Sequence, residues 1–451
     1  MPGHHTHAPA PPESDVSPRV GLVGLAVLLG WIALCRQWPQ IVDLLGLPSP
    51  RQPMSGAHAA LLAMVLTGAA MAAWSVLVEK VHRRPSTGID WDNPRPLHAA
   101  LETAFTKLAG LWLTWAGIAA FYCIGRWYWT GQYEFAMQVL GVAALPLLVL
   151  SFPYVLWLDR VLIEPRDASW HFGAMLIGRE AWDGAQVQRH LRAWGIKGFF
   201  TAFMISILPP GFANVVNADI GQVVHNPVLF GRTLTELLFV IDVQIGTVGY
   251  ILTFRPLDAH IRSGNPFLAG WVAALLCYPP VVFGFMGQGG ILQYEYNTAG
   301  WDFWLGGHPA VQWAWALWLV FLTGIYAWAT FAFGIRFSNL TYRGVLTNGP
   351  YRYTRHPAYL SKNAYWWFSS LPFLVTSHSL VDVVRNTVFL GCVSGIYYWR
   401  ARTEEAHLLA EDPKYRAYHA WMAQHGLITA RLAALWRRAN PRPSMIAQPA
   451  E

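Results

Sequence analysis

Ten apolar stretches, each close to the length that crosses a lipid bilayer, divide this chain almost from end to end. A membrane-spanning helix needs about 20 mostly apolar residues, because every backbone N–H and C=O in the hydrocarbon must be satisfied within the segment. Such stretches occupy residues 20–35 (running on toward 41), 57–78, 108–129, 135–158, 196–216, 234–254, 266–286, 309–333, 357–375 and 380–399. Of the 451 residues, 54% are hydrophobic and only 13% charged. A soluble protein carries about 25% charged residues and, at this length, splits into domains that each need a polar surface. These charges cannot coat such surfaces, so lipid must cover much of the apolar area. The expected fold is all-α, a polytopic integral membrane protein of about ten transmembrane helices.

Charge sets the expected orientation. Lys80, Arg83, Arg84, Arg95 and Lys107 follow the second stretch, and Arg160, Arg166, Arg179, Arg189, Arg192 and Lys197 surround the turn after the fourth. Arg255 and Arg262 follow the sixth, and Arg336, Arg343, Arg352 and Arg355 the eighth. The intervening loops are nearly free of Lys and Arg, and 287–308 has none. The positive-inside rule explains this alternation if both termini are cytoplasmic. The formal charge of +7 then belongs to loops that meet anionic lipid, and no nucleic-acid partner is implied. The expected location is a bacterial inner membrane.

Cys35, Cys123, Cys277 and Cys392 are widely separated in apolar stretches, so they read as free thiols rather than a disulfide framework or metal site. Residues 1–18, with His4, His5, His7 and repeated Ala-Pro, read as a disordered tail. The first stretch lacks a basic leader and a clear cleavage site, so it reads as an uncleaved span. Pro209-Pro210 and Pro279-Pro280 interrupt two stretches and mark kinks that can line a cavity. Ionisable residues within spans are costly and therefore functional candidates. They are Asp242, beside Gln244, and Arg385, beside Asn386, with Asp242–Arg385 one available pairing.

The densest polar grouping lies near the C-terminus. Residues 344–363 read GVLTNGPYRYTRHPAYLSKN. Asn348-Gly349-Pro350 is a turn combination, and Pro357 suits the first turn of the helix that follows. His356 then stands at a membrane boundary beside unsatisfied N–H groups, a place that favours polar or anionic ligands. Tyr359, Leu360 and Asn363 are expected one to two turns apart along one face. A second cluster follows the tenth stretch: Arg400, Arg402, Glu404, Glu405, Leu408-Leu409, Asp412-Pro413, Tyr415 and Tyr418. Arg400 and Glu404 are spaced to pair on a helix surface. Only a short turn joins the ninth and tenth stretches, so the two clusters should converge.

Together these blocks resemble the isoprenylcysteine carboxyl methyltransferases and their phospholipid-methylating relatives. The resemblance rests on Leu346-Thr347-Asn348-Gly349-Pro350-Tyr351, Arg355-His356-Pro357-Ala358-Tyr359 and Arg400-Ala401-Arg402-Thr403-Glu404-Glu405, completed by Tyr415 and Tyr418. It covers roughly residues 338–421. It implies a cytoplasmic S-adenosylmethionine pocket in which His356, Tyr359 and the backbone around Leu346, Gly349 and Tyr351 hold the cofactor, while Glu404 or Glu405 meets its polar groups. Arg355, Arg400 and Arg402 would orient a lipophilic acceptor bearing a carboxylate or phosphate. Lys362 and Asn363 depart from the small or apolar residues usual in that family. Ten spans also resembles the membrane sterol reductases, which share the Arg-His-Pro-x-Tyr block and use NADPH; here Ala358 and Ser361-Lys362 replace their usual Asn and Gly-Asp.

The chain thus divides into a tail (1–18), an N-terminal transmembrane region of about eight helices (19–333), a methyltransferase-like region (334–425) and a basic tail (426–451). The leading expectation is a membrane methyltransferase for a lipid-embedded or lipidated acceptor. An NADPH-dependent reductase and a non-enzymatic transporter or scaffold are the alternatives. No soluble-enzyme motif competes with them: G-x-S-x-G, H-E-x-x-H and a Walker loop are all absent from the sequence.

Overall fold

The ten stretches become ten helices of unequal length in the structure, a computed structural model that describes residues 10–178 and 181–439. Eight are long and apolar enough to cross a membrane. They are α1 (Pro18–Arg36), α2 (Ala57–Ala73, carried on by a π-helical turn Trp74–Val78), α3 (Leu97–Ile124), α4 (Glu134–Val161), α5 (Gly184–Asn217) and α6 (Pro227–Ile251). After the short α7 (Leu268–Leu275) comes α8 (Pro309–Phe333), then the short α9 (Pro357–Ser370) and α10 (Leu380–Glu411). The all-α fold expected from the sequence is therefore present. Among the described residues eight helices have the length and apolarity of a full span, against the about ten expected.

The two short helices have local causes. At 1.5 Å per residue the 8 residues of α7 and 14 of α9 reach about 12 and 21 Å, less than the roughly 30 Å of a hydrocarbon core. Past α7 the chain meets Pro279-Pro280, which removes two adjacent donors and crowds the preceding carbonyls. The same dipeptide at Pro209-Pro210 stays inside the continuous α5, so the two Pro-Pro sites are not equivalent breaks. Leu371 turns left-handed at φ 44° directly before Pro372 and ends α9.

α6 is the centre of the bundle. Of its apolar window 61% is buried, against 6% for α4, which is left to lipid. It packs on α8 and α5, while α9 packs on α8, and α7 and α9 both pack on α10. Val240, Ile241, Ile245 and Val248 of α6 share one core with Leu28, Ile32, Met71, Leu208 and Phe212.

At one end of the bundle the basic loops meet. Asp258, its side chain 1% exposed, accepts from Arg336 at 2.5 Å and Ser86 at 2.7 Å, with Arg262 at 3.4 Å and Arg84 at 3.9 Å. Arg255 lies 3.7 Å from Asp167, which also faces Lys107. A two-residue ladder, β1 (Ser263–Gly264) with β2 (Thr341–Tyr342), ties the loop after α6 to the loop after α8. The Lys/Arg-poor loops gather at the other end, where Thr376 N donates to Asn297 O and Arg232 pairs with Asp302. The alternation of basic and neutral loops therefore corresponds to two opposite ends.

The N-terminal tail departs from expectation. Asp15 exchanges backbone and side-chain bonds with Val345, and Thr347 Oγ1 donates to Pro12 O. Asn348 Nδ2 donates to Val16 O, and Lys414 reaches Asp15 at 2.5 Å. Residues 12–16 are thus docked, because Asp15 and Ser14 supply acceptors to a loop that has no ladder partner of its own. His4, His5 and His7, and the basic tail beyond 439, lie outside the described residues. All four cysteines are free, Cys35 buried and Cys123 and Cys392 exposed on the outer surface.

Candidate functional site

Arg343 anchors the loop that carries the site. Only 4% exposed, it donates to the carbonyls of Ala259, Gly249, Phe337, Leu252 and Ile335. A guanidinium presents five donors in a rigid fork, which suits a ring of carbonyls left by chain turns. Burial pulls its pKa down from the ordinary 12.5 to about 9, with the neighbouring Arg336 charge assisting. His260 nearby is held neutral, its pKa pulled down to about 2 by burial and four surrounding arginines.

Beyond this anchor the turn Gly349–Arg352 and the N-cap His356 bring the first block against the end of α10. Glu404 and Glu405 are consecutive helical residues, so they face about 100° apart and serve two adjoining clusters. Glu405, its side chain 2% exposed, takes His356 Nε2 at 2.9 Å, Arg402 Nη1 at 2.6 Å and Arg355 Nε at 2.8 Å. The Arg355 contact is an ion pair without hydrogen-bond alignment. Glu404 accepts from Tyr359 Oη at 2.5 Å and Arg400 Nε at 3.3 Å. The two sequence blocks therefore converge as their spacing predicts.

Arg400 extends the cluster inward. Its Nη2 donates to Asn339 Oδ1 at 2.6 Å, and Asn339 Nδ2 donates to the hydroxyls of Tyr250 and Tyr278. The guanidinium lies 5.2 Å from the Tyr278 ring and 5.3 Å from that of Tyr359, within cation–π range. Sequence reasoning missed Asn339, Tyr250 and Tyr278. The available signal was Ser338-Asn339 set between apolar Phe337 and Leu340.

The remaining expected residues lie around this centre. Tyr418, on helix α11 (Pro413–His425), donates to the Tyr351 carbonyl at 2.7 Å, and Tyr415 packs beside it. Burial, with the adjacent Glu405 charge, raises the Tyr415 pKa. Leu346 and Gly349 pack on other neighbours. Leu346 is buried with Val16 and Ala332, and Gly349, at φ +57°, lies against Trp328. Leu360 is 43% exposed, so it does not share the inward face of Tyr359. The Asp242–Arg385 pairing does not form: Asp242 accepts from Thr330, and Arg385 donates to the Gln293 carbonyl. The two residues are held by different elements, Asp242 in the central α6 and Arg385 near the start of α10.

The chain is a many-helix membrane bundle with a converged charged cluster at one end. Its C-terminal part matches a protein-family model described as Protein of unknown function (DUF1295), over residues 308–422. That match begins at α8, so α8, α9 and α10 fall within one family region. No curated protein and no solved structure matches the chain.

Proposed function

We propose that the protein is an S-adenosylmethionine-dependent methyltransferase acting on a lipid-embedded acceptor. One observation carries this reading: the two blocks shared with the membrane methyltransferases, some 45 residues apart, meet through Tyr359 on Glu404 and His356 on Glu405. The residues suit the cofactor. Glu404 keeps partial exposure, so its carboxylate can accept from a ligand while Tyr359 and Arg400 fix its position. The rings of Tyr359 and Tyr397 lie 6.0 Å apart beside it. Bound S-adenosylmethionine would supply a methyl group activated by its sulfonium. The chain's own part is to orient: Arg400 steadies Glu404, Glu405 gathers Arg355, His356 and Arg402, and the hairpin of α9 and α10 aligns the reactants, where most of the acceleration of such a transfer arises. We place the site on the cytoplasmic side, on the argument of the basic loops.

A second reading, an NADPH-dependent reductase, is favoured by a different observation. Arg352, Arg355, Arg400 and Arg402 outnumber Glu404 and Glu405, a surplus that suits phosphate groups. Calorimetry of detergent-purified protein with S-adenosylhomocysteine and, separately, NADPH distinguishes the two. The expected result is S-adenosylhomocysteine binding weakened at least tenfold by Glu404→Ala and by His356→Ala. Binding of NADPH alone selects the reductase, and binding of neither removes both.

A further inference from the structure

Four helices enclose a second polar site, deeper in the bundle than the glutamates. Lys362 of α9 extends between α6, α8 and α10. Its Nζ lies 5.3 Å from the ring of Tyr326, 5.2 Å from that of Trp366 and 5.4 Å from that of Tyr397. These π faces stabilise the charge, but an ammonium also has three N–H donors, and rings are poor acceptors for them. Opposite stands Asp242 of α6, 8% exposed, which accepts from Thr330 and Tyr326. Lys362 and Asp242 act on each other electrostatically, yet no ion pair within 4.0 Å closes between them. Lys362, Tyr326 and Trp366 all retain partial exposure although helices surround them, so they face an interior space.

A cleft of about 350 Å³ adjoins this space; Leu208 and Gly211 of α5, Phe239, Val240 and Val243 of α6 and Tyr365 of α9 line it, and Arg232, Thr235 and Glu236 of α6 give it one polar side. That is within the size range of ligand sites, about 300–1,000 Å³. Phe239 forms the shared wall: its ring meets Tyr326 at 5.9 Å and Tyr365 at 6.1 Å. An ammonium with unused donors thus adjoins a largely apolar cleft.

The charge balance selects the ligand. Lys362 is offset by Asp242 and the nearby Arg400 by Glu404, so an anion brought to the ammonium would meet charges already balanced and would also face the Asp242 carboxylate. A neutral carbonyl oxygen satisfies the idle donors and adds no charge. We propose that this chamber binds a neutral lipophilic ketone-type ligand, its carbonyl oxygen on Lys362 and its chain in the cavity beside Phe239. The inference depends on the proposed methyltransferase function only for calling that ligand the acceptor; as a binding site it stands with either cofactor. It also gives the N-terminal region a role, since α5 and α6, which supply Asp242 and most of the cavity, lie outside the family match.

The test uses purified full-length protein in detergent and three photoreactive probes with the same chain-end diazirine: hexadecan-2-one, hexadecane and hexadecanoic acid. Cross-linked peptides are mapped by mass spectrometry. The ketone is expected to label peptides of α5, α6 and α9 at least fivefold more than the alkane, and more than the acid. Lys362→Met should bring ketone labelling down to the alkane level, and Lys362→Arg should keep most of it. Equal labelling of the wild type by ketone and alkane, stronger labelling by the acid, or a ketone preference retained in Lys362→Met would overturn the proposal. S-adenosylhomocysteine binding, measured on the same samples, separates the two ideas. A wild type that binds none of it but shows the ketone preference loses the methyltransferase reading and keeps the chamber. If Lys362→Met proves misfolded, the wild-type ratio and Lys362→Arg decide.

Discussion

Replacing Glu405 with Gln keeps its shape, removes its charge and turns an N–H group toward donors. In the wild type one carboxylate holds Arg355, His356 and Arg402. Removing one partner of a buried charge pair costs about 3–5 kcal/mol. Arg402 is 55% exposed and adds little, and Arg355 and His356, at 16% and 22%, are partly screened. The expected cost is therefore nearer roughly 2–3 kcal/mol. That corresponds to about a 30- to 150-fold loss in any equilibrium that needs the 349–356 segment seated on α10. The assay is calorimetric titration of S-adenosylhomocysteine into wild type, Glu405→Gln, Arg355→Met and the double variant. Once Glu405 is neutral, Arg355 has already lost its counter-charge, so the double variant should be little worse than Glu405→Gln alone. Affinity for Glu405→Gln within threefold of wild type, or strictly additive losses, would refute the argument.

Two further outcomes follow from the surrounding loops. Arg343→Met leaves the carbonyls of Gly249, Leu252, Ala259, Ile335 and Phe337 short of a donor. Each unsatisfied buried group costs about 1–3 kcal/mol, so size-exclusion and thermal unfolding should show a severely destabilised protein, with Arg343→Lys recovering only part. Asp15 concerns pH: burial pushes its pKa upward, but the Lys414 and Val345 hydrogen bonds prevail and hold it below the ordinary 3.8. A depressed carboxylate gives its full stabilisation above the unfolded value and loses it as pH falls through the folded one. Protease cleavage within residues 12–16 should accordingly be slow at neutral pH and accelerate below about pH 4, and Asp15→Asn should make it fast at both.

The spans and the charged cluster were readable in the sequence for different reasons. Apolar runs mark helices because lipid tolerates little else, but hydropathy cannot sense that Pro279-Pro280 or Leu371-Pro372 stops one short. Glu404 and Glu405 were legible through their order and spacing relative to Arg355-His356. Which carboxylate meets which partner depends on helix rotation and needed coordinates. Asp242 was legible as an expensive charge, but its surroundings were not. Its neighbour Lys362 lies 120 residues away, whereas Arg385, with the attractive sign, proved to be held elsewhere. Asp258, which gathers three arginines, gave no signal, since a lone aspartate in a basic loop resembles ordinary surface charge.

The docked N-terminal segment has a consequence for how the protein is made. Asp15 bonds to Val345 and also to Lys414, which lies 399 residues from it in sequence, so the last of its contacts can form only after all of α1 to α10 has been translated. α1 to α8 are therefore translated before residues 12–16 can meet Val345, Thr347 and Asn348. A chain interrupted before residue 414 retains all of α1 to α10 yet cannot close the Lys414 contact. The Lys414 contact is thus a final clasp on the bundle, and a substitution that loosens residues 12–16 would burden that clasp sooner than any span.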